Sequence, residues 1–166
     1  MKEFYDLIQK IYEELNSNRF INTVTMGNIM DVDLSKQSIF PLAHINIQNA
    51  TFSDHVITFA MQVIAMDIVD ESKSDRFNPE ESEFITFTPP LPIDLDNKQD
   101  VLNTQLAVIN RLQSKLRRGD LNDDNYVLDA DATATMFEDR FENLLAGWAL
   151  DLTISVPNNV VTVCGN

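Results

Sequence analysis

The segment at residues 137–157, FEDRFENLLAGWALDLTISVP, constrains the fold more than any other part of the sequence. From position 148 onward, apolar positions alternate strictly with small or polar ones. The apolar set is Trp148, Leu150, Leu152, Ile154 and Val156, and the other set is Ala149, Asp151, Thr153 and Ser155. A period of two residues is typical of a strand with one buried face. Further large apolar residues precede this strand, so the rest of the chain must supply the other side of a core.

The overall charge limits the partners that we expect. The 166 residues include 12 Lys and Arg against 26 Asp and Glu, which gives a formal net charge of -14. Such a surface repels phosphate backbones and anionic lipid, so sequence-independent binding to nucleic acid or membranes is disfavoured. The N-terminal residues lack an uninterrupted apolar run, and the single cysteine, Cys164, cannot form an internal disulfide. We expect one domain over residues 1–166, made in a cytoplasm and without a membrane partner.

The N-terminal part of the chain predicts a helix followed by strands. Apolar spacing indicates a first helix over about residues 2–16, and β-branched residues between 19 and 30 indicate a strand with a bend at Gly27-Asn28. After a polar connection at 31–37, alternation from Pro41 predicts a half-exposed second strand. Residues 50–54 predict a hairpin turn, and residues 55–69 a long antiparallel partner strand. Both faces of that strand are apolar, as expected for a central strand covered by helices on one side and a neighbouring subunit on the other.

The C-terminal half predicts a second helix and closing strands. Asp100 is the expected N-cap of a helix that runs to residue 118 and stops at Gly119. Its apolar face is expected at Leu102, Leu106, Ile109, Leu112 and Leu116, flanked by Val101 and Val108. Residues 132–156 predict two strands or a strand-helix-strand unit, and residues 160–163 a short last strand. The predicted class is therefore α+β, an antiparallel sheet with a long β-hairpin packed against two helices.

A long loop or arm at residues 70–98 has two possible roles. Residues 70–83 are charged and poor in apolar groups, whereas FITFTPPLPIDL at 84–95 combines large apolar residues with three prolines. Proline excludes a helix here and favours an extended segment. Its apolar side chains either cover the domain's own sheet or dock on another chain. Connections of this length in a compact domain are often functional.

An acidic segment after the second helix imitates a calcium-binding loop. Asp120, Asn122 and Asp124 stand at alternate positions, and Asp131 occupies the place of the last ligand. Oxygen atoms at this spacing hold Ca²⁺ in helix-loop-helix sites. The match is incomplete, because Asn125 replaces the glycine of the sharp turn and aspartate replaces the final glutamate. A solvated acidic turn and a calcium site are both compatible with residues 120–131.

No catalytic, cofactor-binding or metal-binding residue is predicted elsewhere. His44 and His55 are the only histidines, and neither has partners at the spacing of zinc ligands. The sequence also lacks a phosphate-binding glycine loop and a nucleophile elbow. Its many carboxylates allow an acid and base pair, but their spacing selects none.

Arg111, Lys115, Arg117 and Arg118 form the one dense basic cluster in the sequence. One interpretation is that they neutralise the end of their own helix and the acidic turn that follows. The other is that they pair with the acidic residues 70–83 of a neighbouring subunit. Both interpretations remain open at this point.

The order of elements and two segments carry a resemblance to known proteins. Helix, long hairpin, long loop, second helix and closing strands follow one another as in the small α+β proteins of phage tail completion and tail termination. The segment DVDLSKQSIFPLAHI and the closing strand with Gly147-Trp148 are similar to small virion proteins of phages that infect Bacteroidetes, including the crAss-like group. The chain thus resembles a tail-terminator or neck ring protein.

The resemblance implies a structural virion protein without enzymatic activity or cofactor. It implies a homo-oligomeric ring at the head–tail junction, assembled in the host bacterial cytoplasm, that completes the tail and joins it to the head connector. Its partners would be copies of itself and neighbouring neck, tail-tube or portal-adaptor proteins, with genomic DNA only as passing cargo. In a ring, Asp151, Thr153 and Ser155 are expected to face the lumen or a neighbour. The alternatives are a non-viral binding module, with calcium bound through residues 120–131, and an uncharacterised hydrolase.

Overall fold

The computed structural model describes residues 2–69, 97–118, 126–128, 131–140 and 144–158. The elements are α1 (Lys2–Asn16), β1 (Thr23–Met26), β2 (Leu42–Phe52), β3 (Val56–Ile68), α2 (Lys98–Arg118), β4 (Val127–Leu128), β5 (Thr133–Arg140) and β6 (Leu145–Pro157). Two short 3-10 turns, Ile29–Asp31 and Gln37–Ile39, lie between β1 and β2. This α+β arrangement of two helices with one sheet confirms the predicted class. Most of the predicted arm at 70–98 and the predicted strand at 160–163 lie outside the described residues.

The strands form one six-stranded sheet in the order β1-β2-β3-β6, with β4 and β5 on successive parts of the outer edge of β6. β3 is central and pairs antiparallel with both β2 and β6, which confirms the long hairpin. β5 and β6 are the two strands predicted over 132–156. β1 pairs parallel with β2, so the sheet is mixed rather than purely antiparallel. The parallel pairing is possible because residues 27–41 cross the sheet before β2 begins.

The turn of the β2–β3 hairpin is shorter than predicted. β2 continues through Phe52, and the backbone N–H and the hydroxyl of Ser53 both donate to the carbonyl of Val56 at 2.9 Å. Residues 50–52 are therefore strand rather than turn. A register shift between Ile47 and Asn49 marks a bulge in β2. Residues 48–56 are exposed throughout, so the end of the hairpin lies outside the core.

Both helices pack on one face of the sheet, which we call the helix face. Its core includes Leu7, Ile8, Ile11, Leu15, Ile45, Met61, Val63, Val108, Ile109, Leu112, Leu116, Leu150, Leu152, Ile154 and Val156. The alternation predicted for β6 is thereby confirmed. Trp148 is partly buried, and its indole N–H donates to the carbonyl of Leu102 at 2.9 Å, which joins β6 to α2. Within the described residues, neither helix is long and apolar enough to cross a membrane.

α2 differs from its prediction in two details. It begins at Lys98, so Asp100 lies in its first turn and is not the N-cap. A backbone hydrogen bond of 3.0 Å from Val101 N–H to the carbonyl of Asn97 closes this turn. Its buried residues are Val101, Gln105, Val108, Ile109, Leu112 and Leu116. Leu106, expected on the buried face, is 39% exposed. The buried stripe is rotated from the predicted one because Gln105 occupies a core position.

The other face of the sheet is covered at one end by residues 29–40. Phe40, Leu42, Met66 and Leu145 form a buried cluster here, against which Ile29, Val32, Leu34, Ile39, Ile64, Ile68 and Phe137 pack. Residues 31–37 are therefore not simply a polar connection, since Val32 and Leu34 contact this cluster. The first part of β2 is not half exposed either, because residues 42–45 are all buried.

Gly147 allows β6 to approach β3 closely. A Cβ atom at this position would lie 2.8 Å from the Cα of Met66 and nearer still to the carbonyl oxygen of Ala65. Both atoms belong to the backbone of β3, so relieving the overlap would require that strand to shift. The small residue beside Trp148 is thus a packing requirement of the central strand pair.

Candidate assembly surfaces

Beyond its covered end, the second face of the sheet carries polar side chains. We call this surface the polar face, and it consists of Asn46, Thr58, Gln62, Thr133, Asp151, Thr153 and Ser155. Gln62 Nε2 donates to Asp151 Oδ1 at 2.8 Å, and the hydroxyls of Thr58 and Ser155 share a hydrogen bond of 2.8 Å. The three β6 residues singled out in the sequence therefore share one surface with polar residues of β2, β3 and β5. Asp151 supplies its one charge.

A hollow of about 340 Å³ lies where the polar face meets the covered end. It is lined by Ile29, Gln62, Ile64, Met66, Thr135, Met136, Phe137 and Ala149. Among the described residues, none that lines the hollow is charged. Its largely apolar lining is better suited to an apolar side chain of another protein than to a charged substrate.

Two strands mark the opposite edges of the sheet. Among the described residues, β1 pairs only with β2, and β5 pairs only with β6. β1 is uncharged, and so are residues 133–137 of β5. Natural sheets usually protect such edges with charged residues or proline, so unprotected edges are candidate sites for pairing with another chain. These edges were not predicted from the sequence, although the similarity of Thr-Val-Thr-Met at 23–26 to Thr-Ala-Thr-Met at 133–136 is a signal that could have indicated them.

The tip of the β2–β3 hairpin exposes a large apolar side chain. Phe52 is 66% exposed, and Val56 beside it is 37% exposed. The Asn158 side chain donates to the carbonyl of Ser53 at 3.4 Å and so connects the tip to the end of β6. Exposed aromatic residues on a supported projection are common in protein contact surfaces.

His44 is buried and joins β1 to β2. Its Nδ1 lies 2.8 Å from Thr25 Oγ1, and its Nε2 lies 2.9 Å from the carbonyl oxygen of Gly27. Because a carbonyl only accepts, Nε2 carries the proton and Nδ1 accepts from the Thr25 hydroxyl. Burial lowers the pKa of His44 from its ordinary value of 6.5, and the bond to Gly27 partly opposes this effect. His44 is therefore a neutral structural link, whereas His55 is exposed in the hairpin turn.

Three of the four clustered basic residues bind carboxylates of this chain. Arg111 Nε donates to Glu14 Oε1 at 2.7 Å, and Lys115 Nζ donates to Glu14 Oε2. Arg117 binds Asp131 at 2.6 Å. The Arg117–Asp131 pair agrees with the interpretation that the cluster neutralises the acidic turn that follows α2. The bonds to Glu14 connect α2 to α1 and were not predicted. Pairing with residues 70–83 of a neighbour stays a prediction, because those residues lie outside the described part.

Only part of the segment that resembles a calcium-binding loop, residues 120–131, lies within the described residues. Asp120, Asn122 and Asp124 lie outside them, while the Asp131 carboxylate is bound by Arg117. That ion pair competes with a metal ion for one of the proposed oxygen ligands. Elsewhere in the described ranges, no group of three or more potential metal ligands occurs. Calcium binding stays a prediction without support from the geometry.

Comparison with known protein families and with curated proteins found no match for this chain. Its function must therefore be argued from the sheet, its edges and its charges.

Proposed function

We propose that this chain is a structural virion protein, a tail-terminator or neck ring subunit, whose copies form a ring at the head–tail junction. The observation that carries the proposal is the distribution of surfaces around one sheet. Helices cover one face, the other face is partly open and polar, and the edge segments 23–26 and 133–137 are uncharged. These surfaces suit self-association, and the proposed role requires no catalytic step.

The proposed ring uses contacts between different surfaces of neighbouring copies. The edges β1 and β5 are different strands at opposite ends of the sheet, so a contact between them is heterologous. Heterologous contacts close into a ring when the rotation between neighbours permits it, and otherwise produce filaments. The hairpin tip with Phe52 supplies a further surface for a neighbour.

In the proposed ring, the polar face lines the channel and the helices lie outside. The sheet supplies mainly hydroxyl and amide groups to this lining, with the carboxylate of Asp151 among them. With a net charge of -14, the subunit repels the phosphates of DNA. Repulsion suits a channel through which genomic DNA passes as cargo, because binding would hinder its passage.

The proposed mechanism is assembly. A completed ring stops growth of the tail tube and presents a docking surface to the head connector, with neck, tail-tube or portal-adaptor proteins as its neighbours. The subunit is made in the cytoplasm of the host bacterium and ends in the virion.

Size-exclusion chromatography with light scattering, followed by negative-stain electron microscopy, tests this proposal. Purified chain should form closed particles of one defined mass with a central opening. A stable monomer at high protein concentration would contradict a ring subunit. Duplex DNA added at physiological salt should leave the elution position of the protein unchanged, since the proposed lining does not bind DNA.

A further inference from the structure

The hydrogen-bonding groups at the two edges of the sheet have matching orientations. In β1, Thr23 N–H donates to Pro41 and Gly27 N–H to Ile45, so the odd-numbered residues bond to β2. In a parallel strand pair the alternate residues point away, so the backbone groups of Val24 and Met26 face outward. Their side chains lie on the helix face, since Val24 is paired with Ala43 and packs on the core of that face.

The outward backbone groups of β5 follow from its pairing with β6. Asn158 N–H donates to the carbonyl of His55. Successive residues of a strand direct their backbone N–H and C=O groups to opposite neighbours, and the β3–β6 register has no shift. The even-numbered residues of β6 therefore bond to β3, and the odd-numbered residues bond to β5. Asp151 and Ala149 therefore bond to Thr133 and Thr135. The outward backbone groups are those of Ala134 and Met136, and the side chain of Ala134 packs on the helix face.

This agreement matters because residues directly opposite each other in antiparallel strands place their side chains on the same face. β1 runs parallel to β2, and along the series β2, β3, β6, β5 each strand is antiparallel to the next, so β1 and β5 run in opposite directions. When β1 of one copy lies beside β5 of another with the sheet faces aligned, the two strands are therefore antiparallel. Hydrogen bonds between the outward backbone groups of β1 and those of β5 then keep the helix face and the polar face each continuous across the junction. Threonines meet on the polar side, and aliphatic side chains meet on the helix side.

The residue types at the two edges fit this arrangement. Residues 23–26 read Thr-Val-Thr-Met, and residues 133–136 read Thr-Ala-Thr-Met. Cross-strand threonine pairs stabilise antiparallel sheets. The two methionines, Met26 and Met136, are 57% and 45% exposed, so both can contribute apolar area to a junction.

The two edges differ in charge. Asp131 precedes β5, and Glu138, Asp139 and Arg140 lie in its second half, whereas residues 22–28, which contain β1, are uncharged. Antiparallel self-pairing of β5 would set the charged residues of two copies against one another, and like charges directly opposite are destabilising. Pairing of β5 with β1 brings no second set of charges to the junction.

We infer that the occupant of the β5 edge is β1 of a second copy of this chain, paired antiparallel so that the sheets of neighbouring subunits are continuous. The inference rests on the proposed ring and names the contact that closes it. Each subunit then offers β1 to one neighbour and β5 to the other.

Cysteine cross-linking tests the inference directly. In a background with Cys164→Ser, the double variant Met26→Cys/Met136→Cys is treated with a short bis-maleimide, which spans directly opposite or diagonal positions, about 5 to 8 Å apart. A denaturing gel should show a ladder of covalent species beyond the dimer, because each copy is linked to two neighbours. Each single variant should remain monomeric on the same gel.

The outcomes separate this inference from the proposed function. Dimers from either single variant would show pairing of like edges and overturn it. Rings seen by light scattering without a ladder would overturn the β1–β5 contact while leaving the ring proposal intact. A chain that stays monomeric at high concentration would overturn both.

A second pair of variants places a positive charge at the junction. Met26→Lys and Met136→Lys each add an ammonium group to an edge, a common protection against strand pairing. Each should raise the protein concentration needed for assembly by about tenfold or more. Met30→Lys is the matched control, because Met30 is 78% exposed and lies outside the sheet. Equal effects of all three substitutions would contradict an edge-specific contact.

Discussion

Two buried polar residues in the core differ in whether their hydrogen bonds are satisfied. Both ring nitrogens of His44 have partners, whereas neither amide atom of Gln105 has one among the described residues. An unsatisfied buried polar group costs about 1–3 kcal/mol, while a satisfied one stabilises modestly. Replacement of these two side chains should therefore change the free energy of unfolding in opposite directions.

The stability of the fold should depend on pH through His44. Burial lowers the pKa of His44 in the folded chain below its ordinary value of 6.5. Between that lowered pKa and pH 6.5, the imidazole is protonated in the unfolded chain and neutral in the folded chain. The contribution of His44 to stability is complete above pH 6.5 and is lost as pH falls through the folded-state pKa, with a slope of at most about 1.4 kcal/mol per pH unit. Urea unfolding at pH 7.5, 6.5 and 5.5 measures the loss.

Two variants isolate the contribution of His44. His44→Gln retains an N–H group near Gly27 but does not titrate in this range, so its stability should depend less on pH than that of the wild type. His55→Gln, at the exposed histidine, should retain the wild-type dependence. An identical pH dependence in the wild type and His44→Gln would assign the effect to other groups.

Gln105 gives the second residue-scale prediction. Gln105→Met has a similar shape and no unpaired amide, so it should raise the free energy of unfolding by about 1–2 kcal/mol. Urea unfolding followed by the fluorescence of Trp148, the only tryptophan, measures the change. Gln113→Met, at a partly exposed position of the same helix, should change stability by less than about 0.5 kcal/mol. Destabilisation by Gln105→Met would mean that its amide is better solvated than its contacts indicate.

At the scale of elements, an asymmetric ion cluster joins the two helices. The Glu14 side chain is 6% exposed, whereas the side chains of its partners Arg111 and Lys115 are 50% and 33% exposed. After loss of the carboxylate, both cations can still contact water. After loss of both cations, the carboxylate stays buried without a partner.

The order of destabilisation follows from this asymmetry. Arg111→Met/Lys115→Met should cost about 3–5 kcal/mol, because it leaves an uncompensated buried charge, and Glu14→Gln should cost less. Chemical denaturation of both variants measures the difference. Lys36→Met removes the exposed pair with Asp33 and should cost less than about 1 kcal/mol. A greater loss from Glu14→Gln than from the double substitution would contradict this account.

Elements with a regular apolar period could be predicted from the sequence, and the others could not. α1 and β3 were predicted to within one residue at each end, and β6 through its alternating residues 148–156, because each buries one strictly periodic face. The start of β6 at Leu145 was not predicted, since the alternation begins only at Trp148. Residues 29–40 were not, since Ile29, Val32, Leu34 and Ile39 have no regular spacing and pack through two 3-10 turns. The buried stripe of α2 was displaced because the sequence gives no reason to place Gln105 inside.

The candidate surfaces depend on strand pairing, and for that reason little of them could be predicted. The polar face was foreseen for β6 alone, from Asp151, Thr153 and Ser155, but its partners on β2, β3 and β5 depend on register. The edges depend on the parallel pairing of β1, which no local pattern of residues 23–26 reveals. The position of His44 in a buried link also requires the crossing segment that brings Gly27 to it.

For the whole molecule, the polar face separates assembly from folding. Asp151 is exposed and makes one hydrogen bond, with Gln62. Asp151→Lys should therefore change the free energy of unfolding by less than about 1 kcal/mol. In the proposed ring it should impair assembly or slow DNA passage, because it places an ammonium group where the lining is otherwise neutral or acidic.

Asp151→Asn is the control for this prediction, because it removes the charge but keeps an oxygen that can accept from Gln62. Light scattering measures assembly, and a gel-shift assay with duplex DNA measures the affinity that the new charge introduces. If Asp151→Lys unfolds the protein, Asp151 matters for folding and the predicted separation is wrong. If the variant folds and leaves both assembly and DNA affinity unchanged, the polar face is not the lining of a channel.

The position of β6 between β3 and β5 also affects how the chain is made. The Thr58–Ser155 hydrogen bond joins residues 97 positions apart, so the β2–β3 hairpin leaves the ribosome long before its partner strand exists. During that interval a nascent chain exposes the unpaired, apolar edge of β3. When many copies are synthesised together, pairing of β6 of one chain with β3 of another would give a domain-swapped dimer. We therefore expect the yield of correct subunits to fall as the local concentration of nascent chains rises.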